Sequence, residues 1–313
     1  MSIVERAVQE SQLNEQSMPA AVAVAPGRVT QPGDDSGPAP VPVARVARTQ
    51  VQPDAGCLLP AQDPKPIIQL DIQRLREEGR LPVADLARRI DGEIRRIKWP
   101  LLNRIAGRNA DAPARNNVIM VTSAMPGEGK TFVALNLALS IVRDREMRVI
   151  LMDGDVARPS LTPLLGLEER AGLNEVLDDT SLDFSVAIYR TDVEGLFFVP
   201  AGRWHDHSPE FFASSRMPQV IKELESRIGH GVIILDSPPL LATNEAQVAT
   251  RHVGQVLLVV RADETEQRAV LDAIALVDKS TPVGAVLNDV RPSALGRYYG
   301  EYQYGHGYGR QDL

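Results

Sequence analysis

Cysteine is almost missing from this chain: Cys57 is the only one in 313 residues. That excludes an internal disulfide framework and any thiolate cluster for zinc or iron–sulfur chemistry within one chain. A reducing, cytoplasmic setting is therefore expected. Aromatic residues are scarce too, at 4%. No apolar run approaches the ~20 residues needed to cross a bilayer; the longest, such as "VGQVLLVV", are strand-sized. The N-terminus lacks a basic region followed by an apolar run, so no secretory signal is expected. An excess of positive charge is also absent, with 34 Lys and Arg against 41 Asp and Glu and a net charge of −7. That balance leaves no global basic footprint, and nucleic acid is not expected as a partner.

What the chain does contain is unevenly placed. Five of its six tyrosines, Tyr298, Tyr299, Tyr302, Tyr304 and Tyr308, fall within "RYYGEYQYGHGYGRQDL" at the C-terminus. The sixth is Tyr189. The tail mixes Tyr with Gly, Gln, Glu and His and has no apolar period for a helix or strand to bury. Residues 291–313 therefore read as a flexible tail with exposed tyrosine hydroxyls. At the other end, "MSIVERAVQESQL" spaces Ile3, Val4, Ala7 and Val8 as one face of a short amphipathic helix, residues 1–16. Its mixed polar face of Glu5, Arg6 and Glu10 suits a protein partner better than an anionic membrane. Residues 17–66 are rich in Pro, Ala, Val, Gly and Gln and read as a disordered linker.

Helical signals return over residues 67–111. In "PVADLARRIDGEIRRIKWPLLNRI" the stripe of Leu86, Ile90, Ile94 and Ile97 predicts a helix that docks on its own domain or on a neighbouring subunit. Trp99 is expected to pack. From residue 112 to 290 six apolar runs, "NVIMVTS", "RVILMD", "LFFVPA", "GVIILD", "QVLLVV" and "GAVLN", alternate with helical stretches. That alternation predicts an α/β domain, a mostly parallel sheet with helices on both faces.

The most informative stretch is "VIMVTSAMPGEGKTFVALNLALSIV". A strand ends at Ser123, a tight loop follows, and a helix begins near Lys130. Gly127 and Gly129 let backbone N–H groups approach phosphate oxygens, and the helix N-terminus adds its positive end. Lys130 would reach the β- and γ-phosphates and the Thr131 hydroxyl would ligate Mg²⁺. Ala124 stands where the usual pattern has its first glycine. Two further strand ends carry acids: "RVILMDGDVARP" places Asp153 and Asp155, and "GVIILDSPPLL" places Asp236. In a parallel α/β sheet the strand C-termini line one edge, where ligands bind. All three carboxylates are expected to converge on the loop and its metal. The pair His205 and His207 in "RWHDHSPEFF" reads as loop rather than metal site.

The set "SAMPGEGKT", "VILMDGDVARPS" and "VIILDSPPLL" with a terminal tyrosine cluster resembles the bacterial P-loop protein-tyrosine kinases. The resemblance runs from about residue 84 to the C-terminus. "MSIVERAVQ", "EIRRIKWPLL" and "SALGRYYGEYQYGHGYG" are similar to the exosortase-associated tyrosine autokinase branch of exopolysaccharide systems. The resemblance implies a P-loop NTPase fold of the MinD-like type, ATP and Mg²⁺ as ligands, and autophosphorylation of the tail. It implies that Gly127, Glu128, Gly129, Lys130, Thr131 and Phe132 bind nucleotide and that Asn288 reads adenine. Asp153 would take the tyrosine proton near the metal, Asp155 would help hold phosphates and Mg²⁺, and Asp236 would bind Mg²⁺ through water. The metal set is thus Thr131, Asp153 and Asp236.

The resemblance also implies a homo-oligomer and a separate transmembrane chain-length or export protein as activator. The chain would sit peripherally at the inner face of the membrane through that partner. The family's oligomerisation motif is not matched: its first Glu aligns with Gly92, and Glu93, Arg95, Arg96 and Lys98 offer a shifted substitute. Two other readings stay open. One is a partitioning or septum-positioning ATPase on the same fold, although its signature lysine is Met125 here. The other is a catalytically silent ATP-binding regulator.

Overall fold

The computed structural model describes residues 65–106, 117–144, 147–204 and 216–290. The N-terminal helix, most of the linker with Cys57, the His205/His207 pair and the tyrosine tail lie outside the described residues.

All six apolar runs are strands. β1 (Val118–Ser123), β2 (Arg148–Asp153), β4 (Leu196–Val199), β5 (Gly231–Asp236), β6 (Gln255–Arg261) and β7 (Val283–Asn288) are joined by a two-residue edge strand, β3 (Tyr189–Arg190). The sheet order is β3-β4-β2-β5-β1-β6-β7. Every pairing is parallel except β3 with β4. β3 was beyond the reach of periodicity, since two residues carry no period.

The helices are α1 (Ile72–Glu77), α2 (Ala87–Ala106), α3 (Lys130–Val142), α4 (Leu161–Leu164), α5 (Leu173–Asp178), α6 (Arg216–Ile228), α7 (Asn244–Ala249) and α8 (Gln267–Leu276). Strand residues alternate between two cores because successive side chains leave opposite faces of the sheet. Ile119, Val121, Val149 and Leu151 face Leu135 and Leu137 of α3. Met120, Ile150 and Met152 face Val220 and Leu224 of α6 and Ala273 of α8. Each such side chain stabilises the fold by roughly 1.5–3 kcal/mol. Ten of the thirteen residues of α3 are buried, because the sheet covers one side and α2 the other.

The segment before β1 differs from expectation in three ways. First, residues 65–71 are largely extended. The Ile68 N–H donates to Arg190 O (2.9 Å) and Ile68 O accepts from the Asp192 N–H (2.9 Å), so Ile68 bridges to Thr191 at the sheet edge. Lys65 donates to Ile188 O (2.9 Å) and sits 4.8 Å from the Tyr189 ring centroid. The linker boundary expected at residue 66 is therefore crossed by an anchored residue. Pro66 explains the extended start, since a residue before proline is pushed out of the helical region.

Second, α2 takes the first of the two expected dockings, on its own domain, with Ile90, Ile94 and Ile97 packed against the core, but Leu86 of the expected stripe is 49% exposed. Lys98, offered above as an interface residue, is buried and donates to Ser140 O (3.0 Å) and Asp144 Oδ2 (2.8 Å). It is committed within the chain. Third, Trp99 is 66% exposed and does not pack; one residue along a helix from a buried position turns a side chain about 100° away.

Candidate functional site

The C-terminal ends of β1, β2 and β5 lie side by side, with Asp153 paired in register to Asp236 and Val121 to Asp236. The loop from Ala124 to Gly129 rises from β1 and feeds α3. Gly127 and Gly129 both adopt left-handed backbone, at φ 84° and 91°, which an L side chain resists. At Gly129 there is a second reason. A Cβ there would lie 2.0 Å from Asn288 Nδ2, which donates to Glu128 O (2.9 Å). Ala124 is not among the positive-φ residues, so the first position of the pattern needs no glycine here.

Glu128 enters this loop through its backbone. Its buried side chain turns inward: Oε2 accepts from the Met125 N–H (2.6 Å) and Oε1 from the Thr265 hydroxyl and, at 3.5 Å, the Arg261 N–H. Asn288, at the end of β7, likewise braces the loop from behind. Phe132 is half-buried and packs against the core. Thr131 is buried in the first turn of α3.

The acidic residues fall into two arrangements. Lys130 Nζ lies 3.6 Å from Asp155 Oδ2. Asp153 and Asp236 are almost wholly buried, and Asp153 Oδ1 and both oxygens of Asp236 have no hydrogen-bond partner among the described residues. Gly154, between Asp153 and Asp155, is where β2 meets the β5 end. Its N–H donates to Asp236 O (2.7 Å), and a Cβ would come within 2.9 Å of that oxygen and 2.4 Å of Leu235.

Burial pushes the Asp153 carboxyl up to about 6, against the hydrogen bonds from Thr162 and Leu161. Burial, with the neighbouring Asp153 charge, pushes Asp236 up to about 7. Asp155 is raised by burial, with Lys130 pulling the other way. An unpaired buried carboxylate is costly to ionise, so a site holding several is built for a cation or a proton.

Asp153, Asp155 and Asp236 lie close enough for their charges to act on one another. Among the described residues no three His, Cys, Asp or Glu side chains are grouped to hold a metal. Mg²⁺ does not require such a cage; it is held by one or two carboxylates together with phosphate oxygens and water. The orphaned oxygens of Asp153 and Asp236 beside Thr131 fit that mode.

Sequence reasoning missed Thr162. Its N–H and hydroxyl both donate to Asp153 Oδ2, at 2.8 Å each, and Thr162 is buried. Its place nine residues after Asp153, in "DVARPSLTP", carried no spacing signal of its own. Among the described residues no helix is long and apolar enough to cross a membrane.

These features have known counterparts. The ParA family model, described as NUBPL iron-transfer P-loop NTPase, matches residues 114–288, more than half of the chain. The matched region contains no cysteine. The chain is 30% identical over 194 residues to tyrosine-protein kinase Wzc of Salmonella typhimurium, covering 61% of this chain and 26% of that protein. It is 28% identical to a putative tyrosine-protein kinase CapB of Staphylococcus aureus, covering 60% of this chain and 80% of that one. Among solved structures, the BceF tyrosine kinase domain superposes with a TM-score of 0.57 at 28% identity, covering 71% of this chain and 88% of that one. The match to the Wzc-like relatives thus spans only about a quarter of their length. By its P-loop, its strand-end aspartates and these matches, the chain belongs to the ParA-type family of P-loop NTPases, and it is similar to the bacterial tyrosine-protein kinases.

Proposed function

We propose that this chain is an ATP-dependent protein-tyrosine kinase that phosphorylates its own tail, at Tyr298, Tyr299, Tyr302, Tyr304 and Tyr308. The observation that carries the reading is the pair of buried, incompletely partnered carboxylates, Asp153 and Asp236, in register beside Lys130 and Thr131. The names of the matched relatives support it.

In this reading the loop N–H groups from Gly127 to Thr131 cradle the phosphates and Lys130 neutralises charge on them. Asp155 keeps the Lys130 ammonium turned toward the loop. Thr131, Asp153 and Asp236 would hold Mg²⁺, which when bound offsets charge on the phosphates. Asn288 lines the base side. A tyrosine hydroxyl has pKa ≈ 10 and needs help at neutral pH. Burial pushes the metal-free Asp153 carboxyl up to about 6, so it is mostly ionised at pH 7 yet more basic than an ordinary carboxylate. The tyrosine oxygen forms a bond to the γ-phosphorus, the bond to the β,γ-bridging oxygen breaks, ADP leaves, and the phenolic proton passes to the Asp153 carboxylate.

Transfer in trans within a homo-oligomer suits a Gly-spaced acceptor tail. Each phosphate adds about −1.5 to −2 charges, so phosphorylated tails repel one another and loosen the assembly. A role in exopolysaccharide production, a separate transmembrane activator, a cytoplasmic place at the inner membrane face and membership of the exosortase-associated branch belong to the same proposal. Its test is intact-mass analysis after incubation with ATP and Mg²⁺. The wild type gains phosphates stepwise, whereas Lys130→Met and a chain stopped before Tyr298 gain none. ATP hydrolysis without any mass increase, with or without an activator segment, would favour an ATPase switch instead. ATP binding with neither would favour a silent regulator.

A further inference from the structure

Three donors converge on a single oxygen of Asp153. The Thr162 N–H (2.8 Å), the Thr162 hydroxyl (2.8 Å) and the Leu161 N–H (3.0 Å) all meet Oδ2. The hydroxyl has one proton to give, and its direction is set from outside. The Ala201 N–H donates to Thr162 Oγ1 at 2.9 Å, so an oxygen lone pair faces Ala201 and the proton is left for Asp153. Thr162 is 1% exposed, so no bulk water competes for either contact. The hydroxyl thereby ties the end of β4, through Ala201, to the end of β2.

A carboxylate is symmetric, so a half-turn about Cβ–Cγ merely exchanges its oxygens. Any smaller rotation breaks the three bonds. The carboxylate plane is therefore fixed, with one oxygen always in the donor pocket. The other, Oδ1, stays unpartnered among the described residues, next to the unpartnered Asp236.

We propose that Thr162 is the positioning residue of this site. It saturates one oxygen of Asp153 and fixes the plane, so that the other oxygen is always presented toward metal and acceptor. Thr162 touches neither; it acts through Asp153. The inference rests on the reading of Asp153 and Asp236 as a metal–nucleotide site. The plain alternative is that Asp153 caps the start of α4 and Thr162 completes that cap, a contribution to stability alone.

The test uses the full chain as wild type, Thr162→Val and Thr162→Ser. Valine keeps the shape of threonine without the hydroxyl, and serine keeps the hydroxyl. The first readout is Mn²⁺ binding in the presence of ADP, followed by electron paramagnetic resonance. Thr162→Val weakens it by about tenfold to a hundredfold, the usual effect of losing an outer-shell partner. Thr162→Ser restores it, and metal-free ADP affinity is the same in all three. The second readout is tail phosphorylation by intact mass. Thr162→Val lowers the rate at saturating ATP by a similar factor and leaves the half-saturating ATP concentration unchanged. Two results overturn the proposal: a valine variant that melts earlier yet keeps Mn²⁺ affinity and rate, or a serine variant that restores neither. A wild type that never phosphorylates its tail, with Mn²⁺ affinity still lost in Thr162→Val, removes the kinase reading and leaves the positioning role standing.

Discussion

β2 and β5 run side by side and end on aspartates in register, yet the protein treats the two ends differently. At the end of β2 the chain turns into α4, whose first N–H groups and the Thr162 hydroxyl hold Asp153 by one oxygen. At the end of β5 it turns through Ser237–Pro238–Pro239, and among the described residues the Asp236 carboxylate has no backbone donor; only Lys130 and the Thr131 side chain lie near enough to ease its charge. The backbone there is pinned instead, by the Ser237 N–H to Val121 O (3.0 Å) and the Thr122 hydroxyl to Pro238 O (2.7 Å). One end fixes a carboxylate and the other fixes only the loop beneath it. In the proposed reading Asp153 is a proton acceptor, which must be aimed, and Asp236 meets a hydrated ion, which gains from an open group.

The largest test of that contrast is to remove each charge in turn. Asp236→Asn and Asp153→Asn should each lower tail phosphorylation by about 10²–10⁴-fold, the range for losing a positioned acid–base group or metal ligand. Their effects on stability should part. Asp236→Asn relieves an unpaired buried carboxylate and should raise the metal-free melting temperature at pH 8. Asp153→Asn should raise it less, because three donors already offset part of the cost of burying that charge. Differential scanning calorimetry in EDTA reads this directly, and equal shifts in the two variants would erase the distinction.

The second test is pH. Both carboxyls are held above their ordinary 3.8, to about 6 and about 7, so between pH 4 and 7 the folded chain binds more protons than the unfolded one. Stability contributed by the neutral forms is full at low pH and lost as pH rises through those values. The metal-free protein should therefore lose stability between about pH 4 and 7, and Asp236→Asn should flatten the upper part of that slope. Phosphorylation should run the other way, rising with pH as Asp153 ionises, with a midpoint below the metal-free value because a bound cation favours the carboxylate.

Smaller effects come from the supports. Asn288→Ala removes the brace from Nδ2 to Glu128 O, a net hydrogen bond of about 1 kcal/mol, and should weaken ATP binding about fivefold by calorimetry. Lys98→Met should cost about 1 kcal/mol through its bonds to Ser140 O and Asp144, lowering the melting temperature by ~2–4 °C. Size-exclusion chromatography with light scattering should find its oligomeric state unchanged, since this lysine faces inward.

Much of the site could be read from spacing. "PGEGKT" between an apolar run and an apolar helix specifies a strand–loop–helix, because Gly127 and Gly129 favour the left-handed turn and the helix begins on the lysine. The six apolar runs gave six strands: five are largely buried on both faces, whereas β7 at the sheet edge is only partly covered. Glu128 and Asn288 were legible as parts of a nucleotide-binding stretch, but not as braces of its loop. That role comes from contacts to Thr265, Arg261 and Gly129, far away in sequence. Lys98 looked like surface charge because nothing local reveals that Ser140 O and Asp144 lie opposite it. Trp99 looked like core because composition says nothing about rotation around a helix.

The sequence by itself determined the local chemistry: which backbone can turn left-handed, which runs must be buried, where carboxylates follow strands, and where tyrosines gather. These follow from φ preferences, apolar period and side-chain identity within a dozen residues. Tertiary structure decided the rest. Parallel register set Asp153 against Asp236, the β4 end oriented the Thr162 hydroxyl, and α2 buried its lysine. Those are pairings across 39 to 83 residues. Hydrogen bonds and burial depend on which groups meet in space, and no short window of sequence carries that information.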